Sequence, residues 1–210
     1  MRPPELCDPR DLPGASVLAI APHPDDESLG CGGLLACLAA QGRAIHVVFV
    51  TDGSASHTGS PTWPRARLAA QRETEACTAL SRLGLGDQPR TFLRLRDSAM
   101  PTPGSATYRT ACATLAAIVG ALNPGLALLP WRRDPHCDHR AAWRLASEAI
   151  AAAGRPTTIL EYAVWLDELG GAGDAPRPGP ARYGGWRSTS MAPWQPNVPP
   201  LRRTARRRAT

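Results

Sequence analysis

The feature that most constrains this chain is a short apolar run that ends abruptly in a cluster of polar residues. The run, residues 17–21, is followed at once by Pro22-His23-Pro24 and then by three acids. Because it lacks the alternation of a half-exposed strand, it indicates a β-strand covered on both faces, as in a parallel sheet. Proline cannot continue the hydrogen-bonded ladder, so the strand ends before His23. The histidine and the acids therefore lie at the carboxyl end of a strand, where open α/β sheets bind their ligands.

Three adjacent acids, Asp25, Asp26 and Glu27, follow this histidine and need a neutralising positive charge, because like charges a few Å apart raise one another's pKa. A divalent cation would supply that charge. His23 and Asp26 are three residues apart across a turn and can reach one ion, while Asp25 is left free for proton transfer. The alternative is a solvated acidic turn in which Asp26 or Ser28 caps the next helix.

A second cluster with the same arrangement lies more than a hundred residues later. The apolar residues 126–129 end at a proline, and two histidines, His136 and His139, follow shortly afterwards. Two strands of this kind in one parallel sheet would bring His23, Asp26 and one of these two histidines together at the same edge. Two histidines and one carboxylate with an open fourth position are the ligands of hydrolytic zinc sites.

These two clusters carry a family resemblance. Residues 21–27, Ala-Pro-His-Pro-Asp-Asp-Glu, together with residues 136–139, His-Cys-Asp-His, resemble the motifs of the LmbE-like, or PIG-L, family of metal-dependent N-deacetylases. The resemblance extends from about residue 15 to about residue 166. It implies an enzyme that removes the acetyl group from an N-acetylglucosaminyl conjugate, so that the expected partner is a small-molecule amino-sugar conjugate.

The resemblance also implies a role for each residue of the two motifs. His23, Asp26 and His139 are expected to hold Zn²⁺, with the fourth position open to water. Asp25 is then the candidate general base. His136, when protonated, is the expected second donor to the oxyanion of the tetrahedral intermediate.

Three further residues are given supporting roles. Asp138 is expected to orient His136 in the required tautomer and to cap the helix that follows. Arg72 and Asp97 are expected to bind the substrate, because they match positions that face the substrate in the family. The alternatives are a solvated pair of Arg72 with Glu75 on one helix, and a turn-forming role for Asp97.

Cys137 lies between the two histidines, and thiolate is also a good zinc ligand. We expect His139 to be the ligand instead, because neighbouring side chains in an extended loop point apart. The six cysteines include no Cys-x-x-Cys pair, so neither a zinc ribbon nor a thioredoxin-like centre is indicated.

The rest of the chain alternates strands with helices. Strands are predicted over residues 17–21, 45–51, 91–95, 126–129 and 159–165, and helices over residues 28–41, 65–83, 108–122 and 138–153. This alternation predicts an α/β, Rossmann-like three-layer fold with a mostly parallel sheet of about five or more strands and the site at their carboxyl ends. The glycines of residues 30–33 lack the G-x-G-x-x-G spacing of a dinucleotide-binding loop, so we attribute them to close packing of a helix on a strand.

The length of 210 residues suits one domain with a sizeable core. We predict that residues 1–169 form the deacetylase domain and that residues 170–210, rich in Pro, Gly and Arg, form an irregular or disordered tail. All 24 basic residues are arginine, and five of them lie in the last ten residues, which leaves only +1 of the formal net charge of +6 for the rest. Nucleic-acid binding would depend on that tail alone and is not expected.

No apolar run approaches the roughly 18 residues that a membrane span needs. The N-terminus lacks the apolar core of a secretory signal, so we expect a cytoplasmic protein.

The main alternative to the enzyme is a non-catalytic, metal-binding member of the family that acts as an interaction module. A magnesium-dependent phosphoryl-transfer enzyme is less favoured, because histidines suit zinc better than magnesium. The oligomeric state is left open.

Overall fold

The computed structural model describes residues 8–57, 59–171 and 173–175. The chain alternates strands and helices as the sequence predicts. In order these are β1 (Ser16–Ala21), α1 (Asp26–Ala40), β2 (Ala44–Thr51), α2 (Arg65–Arg82), β3 (Arg90–Leu95), α3 (Ala106–Leu122), β4 (Leu126–Pro130), α4 (Cys137–Ala153), β5 (Thr158–Tyr162) and the short α5 (Leu166–Leu169).

The five strands form one parallel sheet in the order β3-β2-β1-β4-β5. β1 is central, with Ser16 opposite Ala44 of β2 and Val17 opposite Leu126 of β4. The chain leaves β1 toward β2 and later returns on the other side as β4, so the order of strands reverses between β1 and β4. A crevice at such a reversal, outside the carboxyl ends of the strands, is where open α/β sheets bind ligands.

Alternate residues of β1 pack on opposite faces of the sheet. Val17 and Ala19 belong to one apolar cluster, with side chains from α1 and α2, and Leu18 and Ile20 belong to a second cluster, with side chains from α3 and α4. Helices therefore cover both faces of the sheet, and the continuous apolar run of β1 is explained by burial on both sides. The three-layer α/β fold expected from the sequence is confirmed.

The N-caps of two helices differ from the prediction. α1 begins at Asp26, with Asp25 rather than Asp26 or Ser28 as its N-cap. α4 begins at Cys137, and its N-cap is His136 rather than Asp138. Both differences shift an acid from the expected cap into the first helical turn, where its carboxylate faces neighbouring side chains.

The predicted tail falls mostly outside the described residues, which stop at residue 175 and omit residue 172. The boundary at residue 169 and the irregular tail therefore stay predictions. Within the described residues, no helix combines the length and the apolar character that crossing a membrane requires.

Candidate metal centre

The loop after β1 places His23 and Asp26 against each other. His23 Nδ1 lies 3.0 Å from Asp26 Oδ2, and the backbone N–H of His23 donates to the same oxygen over 2.8 Å. Asp26 is buried in the first turn of α1. The loop itself therefore fixes the orientation of this carboxylate.

The start of α4 brings His139 to the same carboxylate. His139 is fully buried, with Nε2 3.2 Å from Asp26 Oδ2 and Nδ1 3.4 Å from Asp134 Oδ2. Although these contacts are short, neither ring nitrogen has a hydrogen-bond partner among the described residues. A buried polar atom without a partner is costly, and a metal ion bound to a ring nitrogen removes that cost. The residues present here therefore fit a metal ion.

Asp26 lies between His23 and His139, so the three residues predicted to hold the metal come together. The structure also offers competing combinations, of which one uses all three histidines and one uses Cys137. In three groups the ligand atoms lie within 4.8 Å of one another: His23, His136 and His139; His136, Cys137 and Asp138; and His23, Asp97 and Asp138.

Carboxylates surround the ring of His23. Its Nε2 lies 3.2 Å from Asp138 Oδ2 and 3.5 Å from Asp97 Oδ1. Burial alone would lower the pKa of His23, but contacts with three carboxylates, Asp138 foremost, outweigh burial and raise the pKa to about 11. The centre therefore has a strongly negative potential, which a divalent cation can neutralise.

Asp25 lies at the rim of the centre in a strained backbone conformation. Its φ of 154° is one that residues other than glycine rarely adopt. Its side chain is partly exposed, and Asp25 Oδ2 lies 2.9 Å from Arg72 Nη2. Burial raises the pKa of Asp25, and the charge of Arg72 opposes the rise only in part. A carboxylate with a raised pKa beside a candidate metal site is suited to proton transfer.

Arg72 extends from α2 toward Asp25 rather than toward Glu75 on its own helix. Glu75 instead accepts a hydrogen bond from Gln71. Arg72 Nε is buried and has no hydrogen-bond partner among the described residues. Arg72 is therefore part of the centre, with a donor available beside Asp25.

His136 is oriented by a backbone group. Its Nδ1 accepts a hydrogen bond from the N–H of Asp138 over 3.2 Å, so the neutral ring carries its proton on Nε2. Burial and the nearby His23 lower the pKa of His136, which favours that neutral form. The sequence prediction gave the orienting role to the carboxylate of Asp138. That carboxylate instead contacts His23 and accepts the N–H of Ser98 over 2.8 Å.

Asp97, which follows β3, is also part of the centre. It is 6% exposed, and its Oδ2 accepts the N–H of Ala55 over 2.7 Å while Oδ1 faces His23. Asp97 therefore supports the centre from the end of β3, which β2 separates from β1 in the sheet. Protein groups already engage both carboxylate oxygens of Asp97. The substrate contact expected for it stays a prediction.

Sequence reasoning did not single out Asp134, which is fully buried at the centre. Its Oδ1 accepts the N–H of His136 over 2.9 Å, and its Oδ2 lies 3.4 Å from the backbone nitrogens of Val164 and Trp165. Burial raises the pKa of Asp134, but His139 and these N–H groups hold it below its usual range. Asp134 thus connects His139 to the segment after β5. In the sequence, the signal that could have identified Asp134 is its position two residues before His136.

Glu27 lies beneath the loop after β1 and is fully buried. Its carboxyl group accepts the N–H of Asp25 over 3.1 Å and the hydroxyl of Ser28 over 2.6 Å. Burial raises the pKa of Glu27 to about 7. These contacts place Glu27 in a supporting position behind Asp25.

The family profile described as PIG-L: GlcNAc-PI de-N-acetylase matches residues 18–150. The 1D-myo-inositol 2-acetamido-2-deoxy-alpha-D-glucopyranoside deacetylase of Rhodococcus opacus is 34% identical over 158 residues, which cover 66% of this chain and 54% of the relative. The chain thus spans about half the length of the curated relatives it matches.

Several solved structures share this fold, and two of them are named for different reactions. The N,N'-diacetylchitobiose deacetylase of Pyrococcus horikoshii superposes with a TM-score of 0.62 and 28% identity, over 73% of this chain and 61% of that one. The 4-carboxy-2-hydroxymuconate hydratase of Pseudomonas putida KT2440 gives 0.56 and 27%, over 64% and 55%. Since these two proteins are named for different reactions, the fold alone does not decide the chemistry. The family match, however, runs from β1 to α4, spans more than half of the chain and includes both clusters of the metal centre. This chain is therefore a member of the PIG-L family.

Proposed function

We propose that this protein removes the acetyl group from an N-acetylglucosaminyl conjugate by metal-dependent amide hydrolysis, with Zn²⁺ as the metal. The observation that carries the proposal is the position of His139, whose buried Nε2 has no hydrogen-bond partner among the described residues and lies 3.2 Å from Asp26 Oδ2, in the same crevice as Asp25. Relatives named as deacetylases of acetamido sugars support the substrate class.

His23, Asp26 and His139 would hold the metal. When bound, Zn²⁺ supplies a Lewis acid that polarises the amide carbonyl and lowers the pKa of water. The carboxylates of Asp134 and Asp138 contact the two histidines from behind and fix the orientation of their rings. Such supporting carboxylates are typical of histidine ligands.

Asp25 would take the proton from the attacking water and deliver it to the departing amine. The water oxygen bonds to the carbonyl carbon, the C–N bond breaks, and acetate and the free amine are the products. Arg72 contacts Asp25 through Oδ2, which leaves Oδ1 for the proton. Because burial raises the pKa of Asp25, this carboxylate is a stronger base than an exposed aspartate.

His136 would stabilise the developing negative charge on the carbonyl oxygen. The backbone N–H of Asp138 occupies Nδ1, so the neutral ring presents an N–H at Nε2. A neutral imidazole can donate this hydrogen bond without first being protonated. Loss of one such donor costs on the order of 10²- to 10³-fold in rate.

The test combines zinc analysis with acetate release from N,N'-diacetylchitobiose and from an N-acetylglucosaminyl-inositol conjugate. The wild type should hold about one zinc per chain and release acetate, since His23, Asp26 and His139 would form a single metal site. Asp25→Asn should retain zinc and lose about 10²- to 10⁴-fold in turnover, the usual contribution of a positioned base. Arg82→Gln, at the far end of α2, is the control.

Three outcomes would contradict parts of this proposal. A wild type that binds zinc but releases no acetate would refute deacetylation and favour the non-catalytic alternative. Failure of the wild type to bind zinc after reconstitution would refute the metal assignment. An Asp25→Asn variant with near-normal turnover would show that another group is the base.

A further inference from the structure

We propose that the start of α4 holds a second metal site, formed by His136, Cys137 and Asp138, which fills when metal exceeds one ion per chain. An ion bound there would engage His136 and so slow the deacetylation that a single ion supports. The site follows from the geometry at the start of α4. Its effect on turnover depends on the function proposed above.

The thiol of Cys137 and the carboxylate of Asp138 already have the separation that one bound ion requires. Cys137 Sγ lies 3.6 Å from Asp138 Oδ1. Zinc bonds of about 2.3 Å to sulfur and about 2.1 Å to oxygen, at a tetrahedral angle, place those two atoms about 3.6 Å apart. Cys137 is the first residue of α4 and is exposed, so an ion can reach the thiol from solvent.

The carboxylate of Asp138 is held in place by its other oxygen. Oδ2 accepts the N–H of Ser98 over 2.8 Å and lies 3.2 Å from His23 Nε2. These contacts leave Oδ1 to face Cys137. A ligand that is already fixed loses little conformational freedom when an ion binds, which favours binding at this position.

His136 supplies the third ligand. The ligand atoms of His136, Cys137 and Asp138 all lie within 4.8 Å of one another. In the neutral ring Nδ1 carries no proton, because it accepts the N–H of Asp138, and imidazole binds metals through such a nitrogen. An ion there would replace the hydrogen bond that orients the ring, so that Nε2 no longer presents its N–H to the carbonyl oxygen of the substrate.

The centre has enough negative charge for two divalent ions. Four carboxylates contact the two histidines expected to hold the first ion, and they belong to Asp26, Asp97, Asp134 and Asp138. One divalent ion neutralises half of that charge. The remaining charge, together with the thiolate, offsets the repulsion between two neighbouring ions.

The second site should be the weaker of the two. An ion at His136 must displace the N–H of Asp138, whereas His139 Nε2 has no hydrogen-bond partner among the described residues to displace. Protein freed of excess metal should therefore retain about one ion. The second ion takes the place of the proton on the Cys137 thiol, which passes to solvent. Because thiolate is a soft ligand, the site should accept Zn²⁺, Co²⁺ and Cd²⁺ but not Mg²⁺ or Ca²⁺.

The test titrates Co²⁺ into metal-free protein, because cobalt bound to a thiolate gives a charge-transfer absorption band that cobalt bound to nitrogen and oxygen lacks. His23, Asp26 and His139 offer no sulfur, so the band should appear with the second equivalent and not with the first. Cys137→Ser should lose the band and bind the second ion more weakly, by at least the roughly 10- to 100-fold that loss of a supporting group costs. Cys37→Ser removes another exposed cysteine and should change neither the band nor the affinity.

Three spectral outcomes would overturn the site. A thiolate band at the first equivalent would place Cys137 in the first site. Absence of the band at both equivalents would show that the thiol binds no ion. A band that survives in Cys137→Ser, or that Cys37→Ser also removes, would assign the sulfur ligand to another cysteine.

A zinc titration of acetate release tests the effect on turnover. The wild type should be fastest with about one zinc per chain and should slow by about 10²- to 10³-fold when the second site is filled, the cost of losing one oxyanion donor. Cys137→Ser should need at least about ten times more free zinc for the same fractional loss. A second ion that leaves turnover unchanged would overturn the effect on His136. The expected cobalt spectra in a protein that releases no acetate with one zinc would refute the deacetylase function and leave the second site supported.

Discussion

The carboxyl ends of β1 and β4 supply the same kinds of residue to one centre but are built differently. After β1, Asp25 has a φ of 154° and a side chain that is 46% exposed. After β4, Asp134 is fully buried and its oxygens face backbone N–H groups, while His136 caps α4 at an ordinary φ of −74°. The strained segment after β1 presents Asp25, a side chain that can take part in the reaction. The segment after β4, whose hydrogen bonds are satisfied, holds the histidine rings in place.

Mutations at the two strand ends are therefore expected to have different effects. Changes at His139 and Asp134, after β4, should act mainly on metal affinity, because they alter a ligand or the group behind it. Changes at Asp25 should act on turnover and on backbone strain while metal binding persists. The four experiments below test this division, and the first also distinguishes between two possible ligand sets.

The largest effect is expected for His139→Ala, which should remove the metal altogether. His139 is fully buried beside Asp26, and no other histidine occupies that position among the described residues. His136→Ala should retain about one zinc per chain and lose rate, because the assigned role of His136 is a hydrogen bond rather than coordination. Zinc per chain, measured on both purified variants, compares them directly.

Circular dichroism should confirm that both histidine variants are folded. Loss of zinc from His136→Ala with retention in His139→Ala would mean that the two roles are exchanged. Loss from both would favour the group of three histidines, whose ligand atoms lie within 4.8 Å of one another.

A smaller effect on the metal is expected for Asp134→Asn. The change keeps the shape of the side chain but removes the charge 3.4 Å from His139 Nδ1. Loss of such a supporting carboxylate typically weakens metal affinity about 10- to 100-fold. Competition with a chelator measures this directly, with the exposed Asp87→Asn as control. An unchanged affinity would show that the end of β4 does not orient the ligand.

The sequence predicted the fold well because the strong signals are local. Each buried strand is a short apolar run that ends in proline or in a polar residue, and the alternation with amphipathic helices leaves few topologies. The start of α1 was predicted two residues late, because no sequence pattern indicates that Asp25 adopts a conformation normal for glycine.

The sequence predicted which residues form the candidate site but not which of them contact one another. Spacing brought the residues of the two motifs to one sheet edge, but it does not show which way a side chain points. The carboxylate of Asp138 therefore contacts His23 instead of His136, and Arg72 contacts Asp25 instead of Glu75. These contacts join elements far apart in sequence and depend on the packing of the whole sheet.

Gly30→Ala tests the close contact between α1 and Tyr162 at the end of β5. A Cβ added at Gly30 of α1 would lie 2.1 Å from Cδ2 of Tyr162, whose hydroxyl donates to the carbonyl of Ile20 in β1 over 2.6 Å. Because that ring is buried and tethered, Gly30→Ala should destabilise the protein by about 1–3 kcal/mol. Gly32→Ala, where the added carbon would be 3.5 Å from its nearest neighbour, is the matched control in urea unfolding. Equal stability of the two variants would refute the close contact predicted from the glycines of residues 30–33.

The smallest effect concerns the strain at Asp25, measured as the difference between two substitutions. Asp25→Gly relieves the strain of φ 154°, worth about 1–3 kcal/mol, but glycine loses about 0.5–1 kcal/mol more than alanine in chain entropy. In metal-free protein, Asp25→Gly should therefore be more stable to urea than Asp25→Ala by about 1 kcal/mol. The same pair at Ser28, within α1, should give the opposite sign, because an ordinary helical position favours alanine. If glycine were the less stable residue at both positions, the loop after β1 would hold no strain, and the two strand ends would differ only in exposure.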